Sequence, residues 1–211
     1  MTAQIVTETH YPFLSNANEG LVSSIKGDPD MGHIAAIECA GAPKGRAVRW
    51  ALAGDELILR GEGRAVPPTP WNLAIGAGRT QQVSLEPGQR LRFCVLAVPE
   101  ISEPSPRKRR YPDKRVRGRR RPLLTAGEQM AWFEYRTMWV PGTGGSVPQC
   151  ANAKILDISQ CLMGSDRTGD VWRAVRAEIE AEVVDPGAVV QMMIGRYRTY
   201  GFGLPLFAMS G

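Results

Sequence analysis

Three glycines and two arginines lie close together between residues 195 and 203, near the C-terminal end of the chain. Glycine lets the backbone approach a ligand closely, and a guanidinium group donates paired hydrogen bonds to phosphate oxygens. Backbone N–H groups in such loops also bind anions. The cluster therefore predicts a phosphate-binding loop, although tight turns alone can explain such glycines. Its members are Gly195, Arg196, Arg198, Gly201 and Gly203.

The middle of the chain contains a second candidate contact for phosphate groups. Residues 107–121 include ten basic residues and one acidic residue, whereas the whole chain has a formal net charge of only +5. A cluster of this density is typical of proteins that bind a polyanion, and a solvated loop is the alternative interpretation. The basic residues are Arg107, Lys108, Arg109, Arg110, Lys114, Arg115, Arg117, Arg119, Arg120 and Arg121.

The composition is that of a folded protein. The chain has 211 residues, of which 43% are hydrophobic, which suffices for one large domain or two small ones. No apolar run is long enough to span a membrane, and the first residues lack the pattern of a secretory signal. The four cysteines are widely spaced and there are two histidines. We therefore expect reduced thiols, a cytoplasmic location, and neither a metal nor another cofactor.

The elements that would position these residues differ between the two halves. In the first half a strand ends at Pro12, and a helix is expected around Asn16–Ile25. Residues 65–80 are rich in proline and glycine and are expected to form a loop. Four further runs are strand-like, at residues 33–40, 46–53, 56–63 and 91–98.

The second half has clearer helix and strand signals. Thr125 and Glu128 form a capping box at the start of a predicted helix. Apolar and charged residues alternate from Val175 to Val183, which is the period of a half-buried strand. Asp185-Pro186 then predicts the start of a short helix before the glycine-rich end.

These elements predict an α+β protein made of two tandem ferredoxin-like (RRM-like) βαββαβ domains with an inserted basic arm. The expected boundaries are an N-terminal domain at residues 1–104, the arm at 105–122 and a C-terminal domain at 123–211. The second helix of the first domain has no clear signal in the sequence.

The C-terminal segment resembles a known family. Its order of strand, Asp-Pro helix start and glycine-rich loop is similar to that of the RAMP superfamily of CRISPR systems, and more narrowly to the endoribonucleases that process precursor CRISPR RNA. The matching residues are Asp185, Pro186, Gly195, Arg196, Gly201, Phe202, Gly203 and Leu204. The sequence departs from the pattern at Met193, where the family often has glycine. Residues 119–133 and 84–100 resemble segments of the type I-E processing enzymes, and a type IV enzyme fits equally well. Residues 11–80 match poorly.

The resemblance implies a specific reaction. Family members cleave RNA without metal: a 2′-OH attacks the adjacent phosphate and leaves a 2′,3′-cyclic phosphate. This chemistry requires a base near the 2′-OH, an acid near the leaving oxygen and cations around the phosphate. The family often has a histidine near the end of the first strand or in the first helix. His33, at the start of a predicted strand, is the first candidate for the acid–base residue and His10 the second, with Lys26 and Tyr11 as alternates.

The resemblance also implies the partners. The expected substrate is the repeat stem-loop of precursor CRISPR RNA, and the enzyme is expected to keep its product and to join other CRISPR effector subunits, with no membrane contact. A catalytically inactive RAMP-type RNA-binding subunit of an effector complex is the alternative. An unrelated basic RNA-binding domain is disfavoured by the glycine-rich end.

Overall fold

The N-terminal sheet is antiparallel and has the strand order of a ferredoxin-like domain. The computed structural model describes residues 2–42, 47–103, 119–164, 169, 171–196 and 201–207. The order β2-β3-β1-β4 is formed by β1 (Gln4–Pro12), β2 (Trp50–Ala53), β3 (Glu56–Arg60) and β4 (Arg79–Leu85). Helices α1 (Glu19–Gly27) and α2 (Pro29–Ala40) connect β1 to β2 and pack on this sheet. A short 3₁₀ helix, Trp71–Leu73, lies between β3 and β4, where the second helix of the fold is expected. The missing sequence signal in the first half therefore has a structural cause.

The C-terminal sheet repeats the same strand order. The chain continues with β5 (Arg90–Ala97), β6 (Glu100–Glu103), β7 (Arg119–Pro122), α3 (Ala126–Met138), β8 (Cys150–Gly164), β9 (Val171–Val183), α4 (Pro186–Val190) and β10 (Leu206–Phe207). The sheet order is β10-β5-β9-β8, again with antiparallel neighbours. Two ferredoxin-like units in tandem are thus confirmed as the fold. Among the helices that the structure describes, none is long and apolar enough to cross a membrane.

Strand β5 belongs to the second sheet, not to the first. The expected division at residue 104 placed this strand in the N-terminal domain, but β5 pairs with β9 along its whole length and with β10 at Cys94 and Phe93. Its inward side chains, such as Leu91 and Phe93, lie in the same core as Trp132 and Phe133 of α3. The chain passes from the first sheet to the second between Leu85 and Arg90, at the Pro87-Gly88 turn.

Residues 33–40 form helix, so the prediction of a strand there was wrong. Helix α2 begins at Pro29, and the Asp28 side chain accepts a hydrogen bond from the Asp30 N–H as its N-cap. The helix ends at Ala40 and is capped by Gly41, which has φ +62°. Two of its buried residues, Ala35 and Ala36, pack against the N-terminal sheet, and alanine is the strongest helix former. His33 therefore lies in a helix, not in a strand.

The helix and strand signals of the second half are confirmed. The Thr125 side chain accepts from the Glu128 N–H, and the Glu128 carboxylate accepts from the Thr125 N–H, so the capping box is complete. Asp185 caps α4 through the N–H groups of Gly187 and Ala188. Along β9 the apolar residues of the alternating run are buried against α3 and β5.

A two-stranded ribbon, β6 with β7, forms the base of the basic arm. Arg121 on β7 is 3.0 Å from a Glu103 carboxylate oxygen on β6 and 3.0 Å from a Glu128 oxygen on α3. These ion pairs join the ribbon to the first turn of α3. The rest of the arm, residues 104–118, lies outside the described residues.

A buried arginine of the first ferredoxin-like unit connects it to the second. Arg60 on β3 is 2.9 Å from the Glu8 carboxylate on β1, and both side chains are almost fully buried. The same guanidinium donates to the carbonyl oxygens of Val190 and Pro205 and lies 4.7 Å from the ring centre of Phe207. One arginine of the first unit thus contacts both α4 and β10 of the second.

Candidate active site and nucleic-acid interface

Trp50 lies where the first helix pair meets the glycine-rich loop. The indole is 1% exposed, at the start of β2. A Cβ atom on Gly32 of α2 would lie 2.5 Å from Trp50 Cη2, and one on Gly201 would lie 2.8 Å from the same atom. Such distances are shorter than any ordinary carbon contact, so each position requires glycine. We call this packing of α2, Trp50 and Gly201 the Trp50 junction.

His33 lies at the Trp50 junction. Its ring is nearly parallel to the indole of Trp50, with an angle of 25° and a centroid distance of 6.4 Å. Its Nδ1 is buried and has no hydrogen-bond partner among the described residues. Burial lowers the pKa of His33, and the nearby Asp30 carboxylate acts in the opposite direction. The imidazole is therefore mainly neutral at neutral pH, the form that can accept a proton.

The glycine-rich loop is fixed at both ends of its described part. The Gly203 N–H donates to the Leu96 carbonyl at 2.6 Å, and the Ile194 N–H donates to the Gly203 carbonyl at 2.7 Å. Gly203 has φ +84°, and a Cβ there would lie 2.3 Å from the Ile194 oxygen. Gly195 has φ +92°, and a Cβ there would lie 2.9 Å from Trp132 Cη2. Residues 197–200 are outside the described residues, so the predicted contact of Arg198 is outside them too.

His10 has different neighbours. Its Nδ1 is 2.9 Å from a Glu56 carboxylate oxygen, and its Nε2 is 3.7 Å from one of Glu8. Hydrogen bonding to Glu8 raises the pKa of His10 most strongly; burial opposes this, and Glu56 adds to it. Arg79 also binds Glu56, at 2.9 Å. His10 thus belongs to a network of charged residues on the sheet, whereas His33 belongs to the Trp50 junction.

Neither alternate candidate lies in a comparable place. The Tyr11 hydroxyl is buried and donates within 3.1 Å to the carbonyl oxygens of Cys39 and Arg64. Burial raises the pKa of this hydroxyl strongly, which argues against a catalytic role. Lys26, in the last turn of α1, is 2.7 Å from the Asp55 carboxylate and 4.7 Å from the ring centre of Phe13.

The predicted RNA-binding arginines are only partly described. Arg120 and Arg196 are exposed and line one cleft with α3. Arg121 holds the base of the arm through its two ion pairs. For Arg119 only the backbone is described, as part of β7. The arm residues outside the described ranges are Arg107, Lys108, Arg109, Arg110, Lys114, Arg115 and Arg117.

Sequence reasoning missed two arginines near these sites. Arg60 joins the two units, and Arg136 on α3 lines the cleft with Arg120. Glu8 and Arg60 are direct partners across β1 and β3, so the register could have revealed that pair. Arg136 has no comparable signal, because it looks like any cation in the last turn of a helix.

The chain is similar over its whole length to solved CRISPR proteins. Thermus thermophilus Cse3, bound to an RNA representing a pre-cleavage complex, superposes with a TM-score of 0.65 at 22% identity, over 98% of this chain and all of that one. Cas6e from Escherichia coli K-12 superposes with a TM-score of 0.58 at 18% identity, over 97% of this chain and 99% of that one. A chain of a CRISPR RNA-guided surveillance complex superposes with a TM-score of 0.58 at 17% identity, over 98% of this chain and all of that one. This chain has the Cse3 and Cas6e fold.

The match to Cse3 and Cas6e confirms, at the level of the fold, the resemblance seen in the C-terminal segment. The similarity of fold also extends to residues 11–80, where the sequence itself matched poorly. No protein-family model matches the sequence, and no curated protein is significantly similar to it. Within the described ranges, no group of three or more histidine, cysteine or acidic residues is arranged to hold a metal ion.

Proposed function

We propose that this chain is an endoribonuclease that binds the repeat stem-loop of precursor CRISPR RNA and cleaves it by attack of a 2′-OH on the adjacent phosphate. The observation that carries the proposal is the Trp50 junction, where a mainly neutral histidine of the first unit and the glycine-rich loop of the second both lie against Trp50. The shared fold with Cse3 and Cas6e supports it. We further propose a cytosolic protein that keeps its product and joins other effector subunits.

His33 is the proposed acid–base residue. Because Nδ1 is buried, Nε2 is the nitrogen that can reach a substrate, and in the neutral ring it can accept the proton of the 2′-OH. The 2′ oxygen then forms a bond to phosphorus while the bond from phosphorus to the 5′ oxygen breaks. The departing 5′ oxygen takes up a proton from water, and the protonated His33 returns its proton to water, which leaves a 2′,3′-cyclic phosphate and a 5′-OH. No metal ion takes part in this proposed sequence.

The cations have two proposed roles. We propose that Arg196, an exposed residue next to Gly195 in the glycine-rich loop, stabilises the charge on the phosphate during the reaction. The basic arm, which starts at the β6–β7 ribbon, would bind the phosphates of the RNA stem. Duplex RNA is recognised largely by shape and backbone, so a dense set of arginines suits this task.

A cleavage assay in EDTA tests the proposal. Short RNA hairpins would be incubated with the chain, with one copy carrying a 2′-deoxy sugar at the cut site. We expect the ribose form to be cut with a cyclic-phosphate end and the deoxy form to remain intact. Cleavage of the deoxy form, or cleavage that requires a divalent metal ion, would contradict the mechanism.

Two histidine variants separate the candidates. We expect His33→Ala to slow cleavage by roughly 10²–10⁴-fold while leaving hairpin affinity nearly unchanged, as for loss of a general acid–base group. His10→Gln should cut at close to the rate of the unaltered chain, because its ring faces Glu8 and Glu56. Tight binding of every hairpin by the unaltered chain without any cut would instead support the inactive RNA-binding subunit.

A further inference from the structure

A cleft on the C-terminal unit lies between the basic arm and the glycine-rich loop. It has a volume of about 260 Å³ and is formed by the β6–β7 ribbon, α3 and the residue that follows Gly195. Its charged lining consists of Arg120 from β7, Arg136 from α3, Arg196 from the loop and Glu100 from β6. Three guanidinium groups against one carboxylate leave the cleft with a net positive charge.

Arg136 is the fixed part of this cleft. It makes no ion pair within the part of the chain that the structure describes, and its Nε is buried without a hydrogen-bond partner there. Its guanidinium lies 5.7 Å from the ring centre of Trp132, and its backbone oxygen accepts from the Gln149 side chain at 2.7 Å. The position of the group is thus set by packing, while its charge is not neutralised by a described carboxylate. An anion in the cleft would supply the missing charge.

The size and position of the cleft indicate which anion. A volume of this size admits a single phosphate with its sugar, and not the groove of a duplex. Tyr135, which also lines the cleft, is 45% exposed and offers an aromatic face to a base. Through Trp132 the cleft also contacts Gly195, because a Cβ there would lie 2.9 Å from the indole. The cleft therefore lies between the β6–β7 ribbon and the first glycine of the loop.

We infer that this cleft binds one nucleotide of an unpaired RNA strand that flanks the stem, with its phosphate on Arg136, Arg120 and Arg196 and its base on Tyr135. The inference rests on the proposed RNA-binding function and adds a subsite to it. Arg136 is a binding residue here, distinct from the groups that would take part in the chemistry.

Binding to two RNA hairpins tests the inference. Both carry a fluorescent label and a 2′-deoxy sugar at the cut site, and only one has unpaired uridines at its ends. We expect Arg136→Gln to weaken binding of the flanked hairpin about tenfold and to lower its salt slope by about one, as for the loss of one phosphate contact. Affinity for the bare hairpin should change by less than about twofold. The affinity of Arg136→Lys for the flanked hairpin should lie between those of the unaltered chain and Arg136→Gln, because lysine keeps the charge without the planar guanidinium.

Arg173→Gln is the matched control, since Arg173 is an exposed arginine on β9 outside this cleft. We expect it to bind both hairpins as the unaltered chain does. Equal effects of the Arg136 and Arg173 variants, or an equal loss on both hairpins, would overturn the inference. Should Arg136→Gln fail to fold, as judged by its thermal unfolding curve, Tyr135→Ala makes the same test from an exposed position of the cleft. The double variant should lose less affinity than the sum of the two, because both groups hold one nucleotide.

The outcomes separate this inference from the proposed function. Selective weakening by Arg136→Gln in a chain that cuts no RNA would uphold the cleft and refute the enzyme. Efficient cleavage by a chain whose Arg136→Gln variant binds the flanked hairpin normally would uphold the enzyme and refute the cleft as a nucleotide-binding site. Failure of the unaltered chain to bind either hairpin would overturn both.

Discussion

The two histidines of the chain have opposite electrostatic surroundings. His33 lies against the indole of Trp50, and burial lowers its pKa. His10 lies between the carboxylates of Glu8 and Glu56, which raise its pKa. At neutral pH the first is mainly neutral and can accept a proton, whereas the second favours the charged form. The same residue type is thus suited to catalysis at one position and to an ion pair at the other.

Cleavage should depend on pH through His33. A base must be neutral, so the cleavage rate should rise with pH through the pKa of His33, which lies below its ordinary value of 6.5, and should be level above it. Single-turnover rates between about pH 4.5 and 8.5, in the range where the ordinary pKa of histidine falls, would show this limb. In His33→Ala the remaining slow cleavage should not show this rise of the rate with pH. A rate that falls with rising pH across the same range would instead assign His33 as the acid.

His10 should make stability depend on pH in the other direction. Since its pKa is raised in the folded state, its contribution is complete below the unfolded pKa near 6.5 and is lost as pH rises through the folded pKa. The free energy of unfolding of the unaltered chain should exceed that of His10→Gln by about 1 kcal/mol near pH 6, and by less near pH 9. Urea unfolding of both proteins at the two pH values measures this. A difference that does not vary with pH would show that the Glu8 and Glu56 contacts carry no net charge effect.

Helix α2 shows why one element was misread from the sequence. Its start signal, Asp28-Pro29, is the same as the Asp185-Pro186 signal that correctly predicted α4. Four of its buried positions are 32, 35, 36 and 39, which is helical spacing. They hold glycine, alanine and cysteine, whereas the exposed and half-buried positions include isoleucines, so hydrophobicity alone obscured the period. The capping residues were the more reliable evidence.

The glycine-rich loop should require Gly201 for its contact with Trp50. Gly201 and Gly88 have similar φ values, +77° and +80°, but a Cβ on Gly88 would meet nothing within 4 Å. We expect Gly88→Ala to cost about 1 kcal/mol for its backbone conformation. Gly201→Ala should cost about 1–3 kcal/mol more, because it also displaces the indole. Urea unfolding measures both.

The same pair of variants separates stability from activity. Under conditions where both variants are folded, Gly201→Ala should slow RNA cleavage, since the Trp50 junction also holds His33, while Gly88→Ala should not. Equal losses of stability and of cleavage rate in the two variants would show that backbone strain alone causes both losses. The contact of Gly201 with Trp50 would then have no further role.

The whole molecule depends on how the two units are joined, because the proposed site takes His33 from one and the glycine-rich loop from the other. Val6 and Leu85 of the first sheet lie in the hydrophobic core of the second unit. Arg60 contacts Val190 and Pro205, and Arg49 donates to Gln191 at 2.6 Å. The relative orientation of α2 and the loop is thus set by apolar packing and by a few specific polar contacts.

Much of this architecture follows from the sequence, but the junction does not. Alternation in β9, the Thr125 capping box and the Asp185-Pro186 start predict the second unit, and the glycine spacing predicts its loop. The role of Trp50 could not be predicted, because it depends on two glycines that are distant in sequence. Nor could the burial of Glu8 and Arg60, since charged residues on strands are usually exposed. Contacts between units depend on packing that no local pattern encodes.

The Glu8–Arg60 pair should therefore behave as a buried pair with strong coupling. Removal of one partner leaves the other charge buried and unpaired, so Glu8→Leu and Arg60→Met should each destabilise the chain by about 3 kcal/mol. The double variant should be no less stable than either single one, because no unpaired charge remains. The exposed pair Arg92–Glu178 is the matched comparison, with an expected coupling of about 0–1 kcal/mol. Urea unfolding of the two complete cycles measures these energies, and additive losses at Glu8 and Arg60 would mean that the pair does not act as a unit. If it does, cleavage by either single variant should fall along with its stability, because the same arginine holds α4 and β10 next to the first unit.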